Sequence, residues 1–180
     1  CDQGYYDIQN STAYFDNHPT YKRKNEFAEA KIIINDEKQK LTKLYTNAVI
    51  KDSISEARGD TIIINNLDNT VKIFGNGFYK DKDRNIHGQK IEYNRSDKSL
   101  QVVGRTELTE GSQIITALKI EYIGHSDIGY AYGDVVVRDT QSGWEIHCDT
   151  FSYNKKNKKF TPYGSKKYIA TPLDNDTLYL

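Results

Sequence analysis

The chain has 180 residues, long enough for one domain with a buried core or for a stack of small repeats. Its 25 basic and 25 acidic residues cancel, which disfavours a nucleic-acid-binding protein because such proteins carry an excess of basic residues. The 14 tyrosines and 6 phenylalanines argue against a disordered chain. No apolar run reaches the roughly 18 residues of a membrane helix. The two cysteines, Cys1 and Cys148, are too few for a disulfide framework or a cysteine zinc site.

A short pattern returns along the whole chain with a nearly constant period. Its leading apolar residues, spaced 30, 29, 29 and 31 apart, are Ile32, Ile62, Ile91, Ile120 and Phe151. A glycine recurs in the same phase in four copies, at Gly75, Gly104, Gly133 and Gly164. With one earlier copy, the period predicts a single repeat domain, 1–180, of about six β-hairpin copies. The predicted copies lie near 1–28, 29–58, 59–87, 88–116, 117–147 and 148–180.

Each copy opens with the alternation of a strand. In residues 90–94 the apolar side chains lie two positions apart, a polar turn follows at 94–99, and a longer β run covers 100–108. Gly104 inside that run predicts a corner, because an isolated glycine in a strand usually marks a bulge or a bend. Asn17 takes the glycine position in the first copy, since asparagine tolerates a left-handed backbone. The best helical candidate, 22–30, is short and has no capping residue.

Stacked copies predict an all-β fold, a repetitive antiparallel two-sheet β-jellyroll with aliphatic and aromatic side chains inside. Such a stack has no natural closure, so it is expected to be open at both ends. Unpaired backbone donors and acceptors at the first and last strands would attract another strand.

Few residues fit a chemical site. Asp81, Asp83, Asn85 and Glu92 match four positions of a calcium-binding loop, but Ile86 stands where that loop requires glycine, so the segment is interpreted as an acidic turn. We therefore predict neither a metal site nor a cofactor.

Two further groups contain residue types that occur in functional sites. Asp134 and Asp139 lie five residues apart on a strand and point to opposite faces, a poor geometry for acid–base catalysis, so no catalytic residue is predicted. A lysine cluster is either a solvated turn or a contact for phosphate groups on an anionic ligand. Its members are Lys155, Lys156, Lys158 and Lys159, joined by Lys166 and Lys167.

The repeated unit resembles the OstA/LptA-type repeat of lipopolysaccharide transport proteins. The residues that carry this resemblance are Ile91, Tyr93, Asn94, Leu100, Val102 and Gly104. The stretch 129–139 is similar to the Gly-Asn-Val-x-Val-x-Asp segment of that family, with Asp134 replacing the asparagine. Residues 4–7 and 13–15 look like the OstA-like proteins of Bacteroidota-type envelopes. The resemblance covers most of 1–165, and the tail with Pro172 departs from it.

The resemblance implies a slightly twisted β-jellyroll in the periplasm, without enzyme activity, that carries lipopolysaccharide towards the outer membrane. Related domains join edge to edge, so the implied partners are lipopolysaccharide and other jellyroll transport components or a second copy. On this basis eight inward residues are the predicted lipid trough wall. They are Ile62, Ile64, Ile91, Tyr93, Ile120, Tyr122, Phe151 and Tyr153.

Two alternative functions and the nature of Cys1 stay open. The same eight residues fit a closed core, as in a structural or adhesive β-solenoid without a lipid ligand. A carbohydrate-processing enzyme would need two carboxylates on one concave face. Because the chain contains no methionine, we expect a processed product or a piece of a longer chain, in which Cys1 is either a lipidated terminus or an ordinary repeat position at a truncation.

Overall fold

A computed structural model describes residues 3–165, 168–170 and 177–179, and all regular structure in this part of the chain is β-strand. No helix within these ranges is long and apolar enough to cross a membrane. The sixteen strands are β1 Gln3–Asp7, β2 Thr12–Asp16, β3 Thr20–Arg23, β4 Glu26–Glu29, β5 Ile32–Asp36, β6 Leu41–Lys51, β7 Glu56–Asn65, β8 Thr70–Lys80, β9 Arg84–Asn94, β10 Leu100–Glu110, β11 Gln113–Ile123, β12 Ile128–Asp139, β13 Glu145–Asn154, β14 Lys159–Tyr163, β15 Tyr168–Ala170 and β16 Thr177–Tyr179.

These strands form one continuous antiparallel sheet that is not closed into a barrel. From β5 to β13 each strand pairs with the next in the chain. The sheet forks at both ends, because β6 pairs with both β5 and β4, and β13 pairs with both β14 and β15. Among the described strands, β1 and β3 end the sheet on one side, and β14 and β16 end it on the other.

Every ladder between neighbouring strands from β6 to β13 shifts register once, near the middle of the strand. The corner glycines predicted inside strands lie at these shifts with a positive φ, at 69° for Gly75, 82° for Gly104 and 75° for Gly133. Asn17 also has a positive φ, 61°. A bulge bends a strand and increases its twist. The shifts therefore divide the sheet into an upper arm, ending in the turns at 66–69, 95–98, 124–127 and 155–158, and a lower arm, ending in the turns at 52–55, 81–83, 111–112 and 140–144.

The two arms fold onto each other at this line of corners. Tyr79 on the lower arm pairs with Ile86 of β9, and Tyr93 lies seven residues further along that strand. In a flat sheet this separation would be about 23 Å, at about 3.3 Å per residue. The rings of Tyr79 and Tyr93 nevertheless lie 5.4 Å apart between centroids. The two facing layers predicted from the sequence are therefore two arms of a single folded sheet.

Small residues occupy the inside of the corner and make this close approach sterically feasible. A Cβ atom on Gly59 would lie 2.6 Å from Cγ2 of Ile73, which is closer than real atoms come. We call this line the corner row. Its members are Ala48, Gly59, Gly77, Gly88, Thr106, Ala117, Val135 and Cys148.

The weak helical candidate at 22–30 is a hairpin of β3 and β4, in which Tyr21 pairs with Ala28, in agreement with the predicted all-β fold. Gly164 has a φ of 129° and lies just after β14, where the chain passes towards the lower arm. Cys1, Lys166, Lys167 and Pro172 are not among the described residues.

Candidate functional site

The inner face of the upper arm carries two parallel rows of side chains that cross the whole sheet. Successive register partners define the deep row, next to the corner: Ile33, Leu44, Ile62, Ile73, Ile91, Val102, Ile120, Ala131 and Phe151. Two residues nearer the turns lies the tyrosine row: Ile64, Val71, Tyr93, Leu100, Tyr122, Gly129, Tyr153 and Phe160.

The eight residues predicted to form a trough wall all lie on this inner face, but they divide between the two rows. Ile62, Ile91, Ile120 and Phe151 belong to the deep row and are buried, with at most 4% of their surface exposed. The other four belong to the tyrosine row and are only partly buried against the core. The deep row is thus mostly a packed core in this structure, with Ile120, Ala131 and Phe151 also lining a cavity, whereas the tyrosines of the tyrosine row are the more open to solvent.

Two cavities lie at the mouth, where the free ends of the two arms face each other. The first, the Tyr122 cavity, has a volume of about 280 Å³. The predicted residues Ile120, Tyr122, Phe151 and Tyr153 line it from the upper arm. On its lower-arm side it is lined by Leu108, Ile115, Arg84 and Glu110.

The second, the Tyr79 cavity, has a volume of about 410 Å³ and lies beside the first along the mouth. Of the predicted wall only Tyr93 lines it, and Ile62, Ile64 and Ile91 line neither cavity. Its apolar lining comprises Ile50, Ile54, Ala57, Val71, Tyr79 and Tyr93. Small-molecule sites usually occupy about 300–1,000 Å³, so each cavity has room for at most one small ligand and not for several long chains.

Arg84 borders both cavities and is fixed in place by Asp81. Its Nη2 and Nε donate to Asp81 Oδ2 at 2.7 and 3.2 Å. Burial opposes the ionisation of Asp81, but these hydrogen bonds and the positive charge of Arg84 hold the pKa of Asp81 below its ordinary value. Burial, reinforced by the charge of Asp81, raises the pKa of Tyr79 to about 12, so Tyr79 is a neutral phenol at physiological pH.

The rim of the Tyr122 cavity is polar. The Tyr122 hydroxyl donates to Asp127 Oδ1 at 2.6 Å, and burial together with this hydrogen bond raises the pKa of Tyr122 to about 12. Lys155 Nζ, on an upper turn, donates to Glu110 Oε1 on the lower arm at 3.2 Å. The mouth therefore has an apolar floor and a rim of charged groups, one pair of which bridges the two arms.

The lysine cluster lies on the turn between β13 and β14. Lys155 uses its ammonium group in the bridge to Glu110, whereas Lys156, Lys158 and Lys159 are exposed. Only Lys155 of these four lines a cavity among the described residues.

The other residues considered for chemistry have structural surroundings. Asp81, from the calcium-loop pattern, is the partner of Arg84, and the described ranges contain no cluster of acidic, histidine or cysteine side chains placed to hold a metal ion. Asp139 accepts hydrogen bonds from the backbone of Gln141 and Ser142 at 3.0 and 2.8 Å, as the first residue of a turn. Cys148 is buried in the corner row, and burial raises the pKa of its thiol.

Sequence reasoning missed the lower half of the mouth. Tyr79, Arg84, Leu108 and Ile115 face the tyrosine row across the fold, yet no local pattern pairs them with it. The alternation of β8 and β9 assigns Tyr79 and Arg84 to the inner face. Only the angle between the arms brings them next to Tyr93 and Tyr122.

Comparison with known proteins yields a similarity in fold only. No protein-family model matches the sequence, and no curated protein matches it. Among solved structures, the chain is similar to LptH of Pseudomonas aeruginosa, described as the LptA-homologous periplasmic component of a lipopolysaccharide transport device. The identity is 11%, the match covers 96% of this chain and 95% of that one, and the TM-score is 0.33. A similarity at this level carries no argument about function, which has to come from the geometry of this chain.

Proposed function

We propose that this protein is a periplasmic lipid-carrier module that shields the acyl chains of lipopolysaccharide and docks edge to edge with similar domains on the way to the outer membrane. One observation carries the proposal. A row of half-buried tyrosine and aliphatic side chains faces two cavities at the mouth of a folded sheet that is not closed.

The energetics of acyl chains support such a site. Burial of one CH₂ group contributes about 0.8 kcal/mol, so a 14-carbon chain gains about 10 kcal/mol by leaving water. The tyrosine row offers apolar surface, while the charged rim keeps a polar head group in contact with solvent. Because the deep row is filled and the cavities are small, uptake of the several acyl chains of one lipopolysaccharide molecule requires the arms to move apart at the mouth. In this proposal Lys156, Lys158 and Lys159 contact phosphate groups from the upper turn.

The two ends of the upper arm differ in their ability to accept another strand. β1 carries neither proline nor lysine, and its Tyr5 is 64% exposed. β14 contains Pro162, which lacks an N–H donor, and follows the lysine cluster. Proline and lysine are common devices that protect edge strands from pairing. These features support docking through β1 in preference to β14.

A photocrosslinking side chain placed at Tyr93 or at Tyr122 tests the lipid ligand. We expect both positions to capture lipopolysaccharide, because both lie in the tyrosine row. The matched control is Glu92, the neighbour of Tyr93, which points to the outer face and pairs with Lys72 and Lys90 at 3.2 and 3.3 Å. Capture from Glu92 alone, or from none of the three, would contradict the proposal.

The alternative of a closed-core solenoid is disfavoured because the described sheet has free edge strands on both sides. The absence of enzyme activity remains part of the proposal. Sugar hydrolysis is measured for the unmodified chain and for variants with single aspartate or glutamate substitutions. Hydrolysis by the unmodified chain that one of these variants loses would reveal an enzyme.

A further inference from the structure

The Tyr79 cavity combines an apolar floor with an unusual distribution of charge. Ile50, Ala57 and Val71 line it together with Tyr79 and Tyr93, whose ring centroids lie 5.4 Å apart. Its volume of about 410 Å³ lies in the lower part of the range for small-molecule sites, about 300–1,000 Å³, which suits one hydrocarbon chain.

An exposed apolar side chain stands at the edge of this cavity. Ile54 lies in the turn at 52–55, lines the cavity and is 72% exposed. Turn positions face water and usually carry glycine, proline or a small polar residue, so an exposed isoleucine in a turn is uncommon. A hydrocarbon chain that leaves the cavity along Ile54 would cover this surface.

Two cations at the rim are available for a ligand. Arg95 and Lys98 belong to the upper turn at 95–98, and neither side chain forms a hydrogen bond or ion pair within the described ranges, although the charge of Arg95 contributes to lowering the pKa of Asp52 and Lys98 lines both cavities. Arg84, by contrast, is occupied by Asp81. Free guanidinium and ammonium groups bind carboxylate or phosphate oxygens through charge-assisted hydrogen bonds.

The carboxylates of the rim are already engaged or outnumbered. Asp52 accepts hydrogen bonds from the backbone N–H groups of Ile54 and Ser55 at 2.8 and 2.7 Å. Asp81 is paired with Arg84. The third carboxylate, Asp83, is next in sequence to the basic residue Lys82. Overall, four basic side chains and three carboxylates line the cavity, so the rim favours an anion.

We infer that the Tyr79 cavity binds a single-chain amphiphile with an acidic head group. The hydrocarbon chain lies against Ile50, Ala57 and Val71, and the head group lies between Arg95 and Lys98. The inference rests on the proposed lipid-carrier function and deepens it, because it assigns one cavity to one chain and names the residues that select the charge of its head group.

The test compares three probes at neutral pH on the full chain: a saturated fatty acid, the primary alcohol of the same chain length, and inorganic phosphate. Binding is measured by the change in tyrosine fluorescence and by calorimetry. We expect the acid to bind at least about tenfold more tightly than the alcohol, because hydrogen bonds to charged groups are among the stronger ones. Inorganic phosphate alone should not bind measurably, since it lacks the apolar chain.

The variant R95Q/K98Q should lose the preference for the acid and keep its affinity for the alcohol. The matched control is K38Q/K40Q, which removes two positive charges from the equivalent upper turn, 37–40, where Lys40 has a φ of 54° and Lys98 has 61°. The control should bind the acid as the unmodified chain does. Equal affinity for acid and alcohol, equal losses in both variants, or binding of free phosphate with the same affinity would each overturn the inference.

The two proposals fail in different ways. If lipopolysaccharide is captured from Tyr122 while R95Q/K98Q keeps its preference for the acid, the head-group assignment is wrong and the carrier function stands. If the acid binds selectively but lipopolysaccharide is not captured from Tyr93 or Tyr122, the head-group assignment stands and the proposed lipopolysaccharide carrier function is wrong.

Discussion

At the scale of single residues, each corner glycine is covered by a side chain of the neighbouring strand. A Cβ atom on Gly104 would lie 2.8 Å from Oε1 and 3.0 Å from Cβ of Gln89, and its φ of 82° is unfavourable for other residues. The covering residues recur with the period of the sequence. They are Asp60 over Gly75, Gln89 over Gly104, Leu118 over Gly133 and Asp149 over Gly164. The glycine period therefore has a steric cause at the corner of the sheet.

The substitution G104A should lower the free energy of unfolding by about 2 kcal/mol or more, because it adds a steric clash to the cost of a left-handed backbone. The control is G111A, at a φ of 60° with no atom within 4 Å of the added Cβ. It should cost only about 1 kcal/mol. Urea unfolding curves measure both, and equal losses would show that the covering side chain has no role.

Asp139 should titrate well below the ordinary pKa of an aspartate side chain. The backbone N–H of Ser142, then the hydroxyl of Ser112, hold its pKa at about 2, against an ordinary value of 3.8. Because the pKa is lowered in the folded state, its stabilising contribution is present above pH 3.8 and is lost as the pH falls through about 2. Carbon NMR of the side-chain carboxyl measures the midpoint, which S112A should raise. A midpoint near 3.8 in the unmodified chain would contradict this assignment.

At the scale of elements, most of the upper turns begin with the same hydrogen bond. The Oδ1 atom of an aspartate or asparagine accepts a backbone N–H two or three residues later, as in Asn94 with Ser96 at 2.8 Å. The five residues that do this are Asp7, Asp36, Asn65, Asn94 and Asn154. Ile123 takes the same place in the remaining upper turn. The asparagine of the repeated sequence unit is thus a turn-forming residue.

N94A should destabilise the protein by about 0.5–1 kcal/mol, since a net hydrogen bond is worth about that amount and this turn is exposed. The reverse change, I123N, adds the missing acceptor and should be neutral or slightly stabilising. Thermal unfolding of both variants measures the effect. A destabilising I123N together with a neutral N94A would show that the side-chain oxygen is not what holds these turns.

At the scale of the whole molecule, the arms meet at the mouth through contacts between residues distant in sequence. Tyr79 contacts Tyr93, Trp144 lies 6.2 Å from Phe160 between ring centroids, and Lys155 pairs with Glu110. These contacts join the two arms across the mouth but leave the two cavities open between them.

The bridge between Lys155 and Glu110 should be weak enough to open. Its side chains are 55% and 40% exposed, and exposed ion pairs contribute less than about 1 kcal/mol. A double-mutant cycle with K155A and E110A should therefore give a coupling energy below about 1 kcal/mol that decreases with added salt. A coupling above about 2 kcal/mol would mean that this pair locks the arms together, and uptake of a long chain at the mouth would then be slow.

The sequence by itself determined the strands, the corner glycines and the inward direction of Ile91, Tyr93 and their equivalents. These are local properties: the pleat alternates side chains between two faces, and a positive φ favours glycine wherever it occurs. Only the tertiary structure decided that Ile91 lies in a filled core while Tyr93 borders a cavity, and that Arg84 lies at both cavities. Ile91 and Tyr93 both point inward on the same strand. Their different burial depends on the angle at which the lower arm folds back over the upper one, and packing along the whole corner row sets that angle.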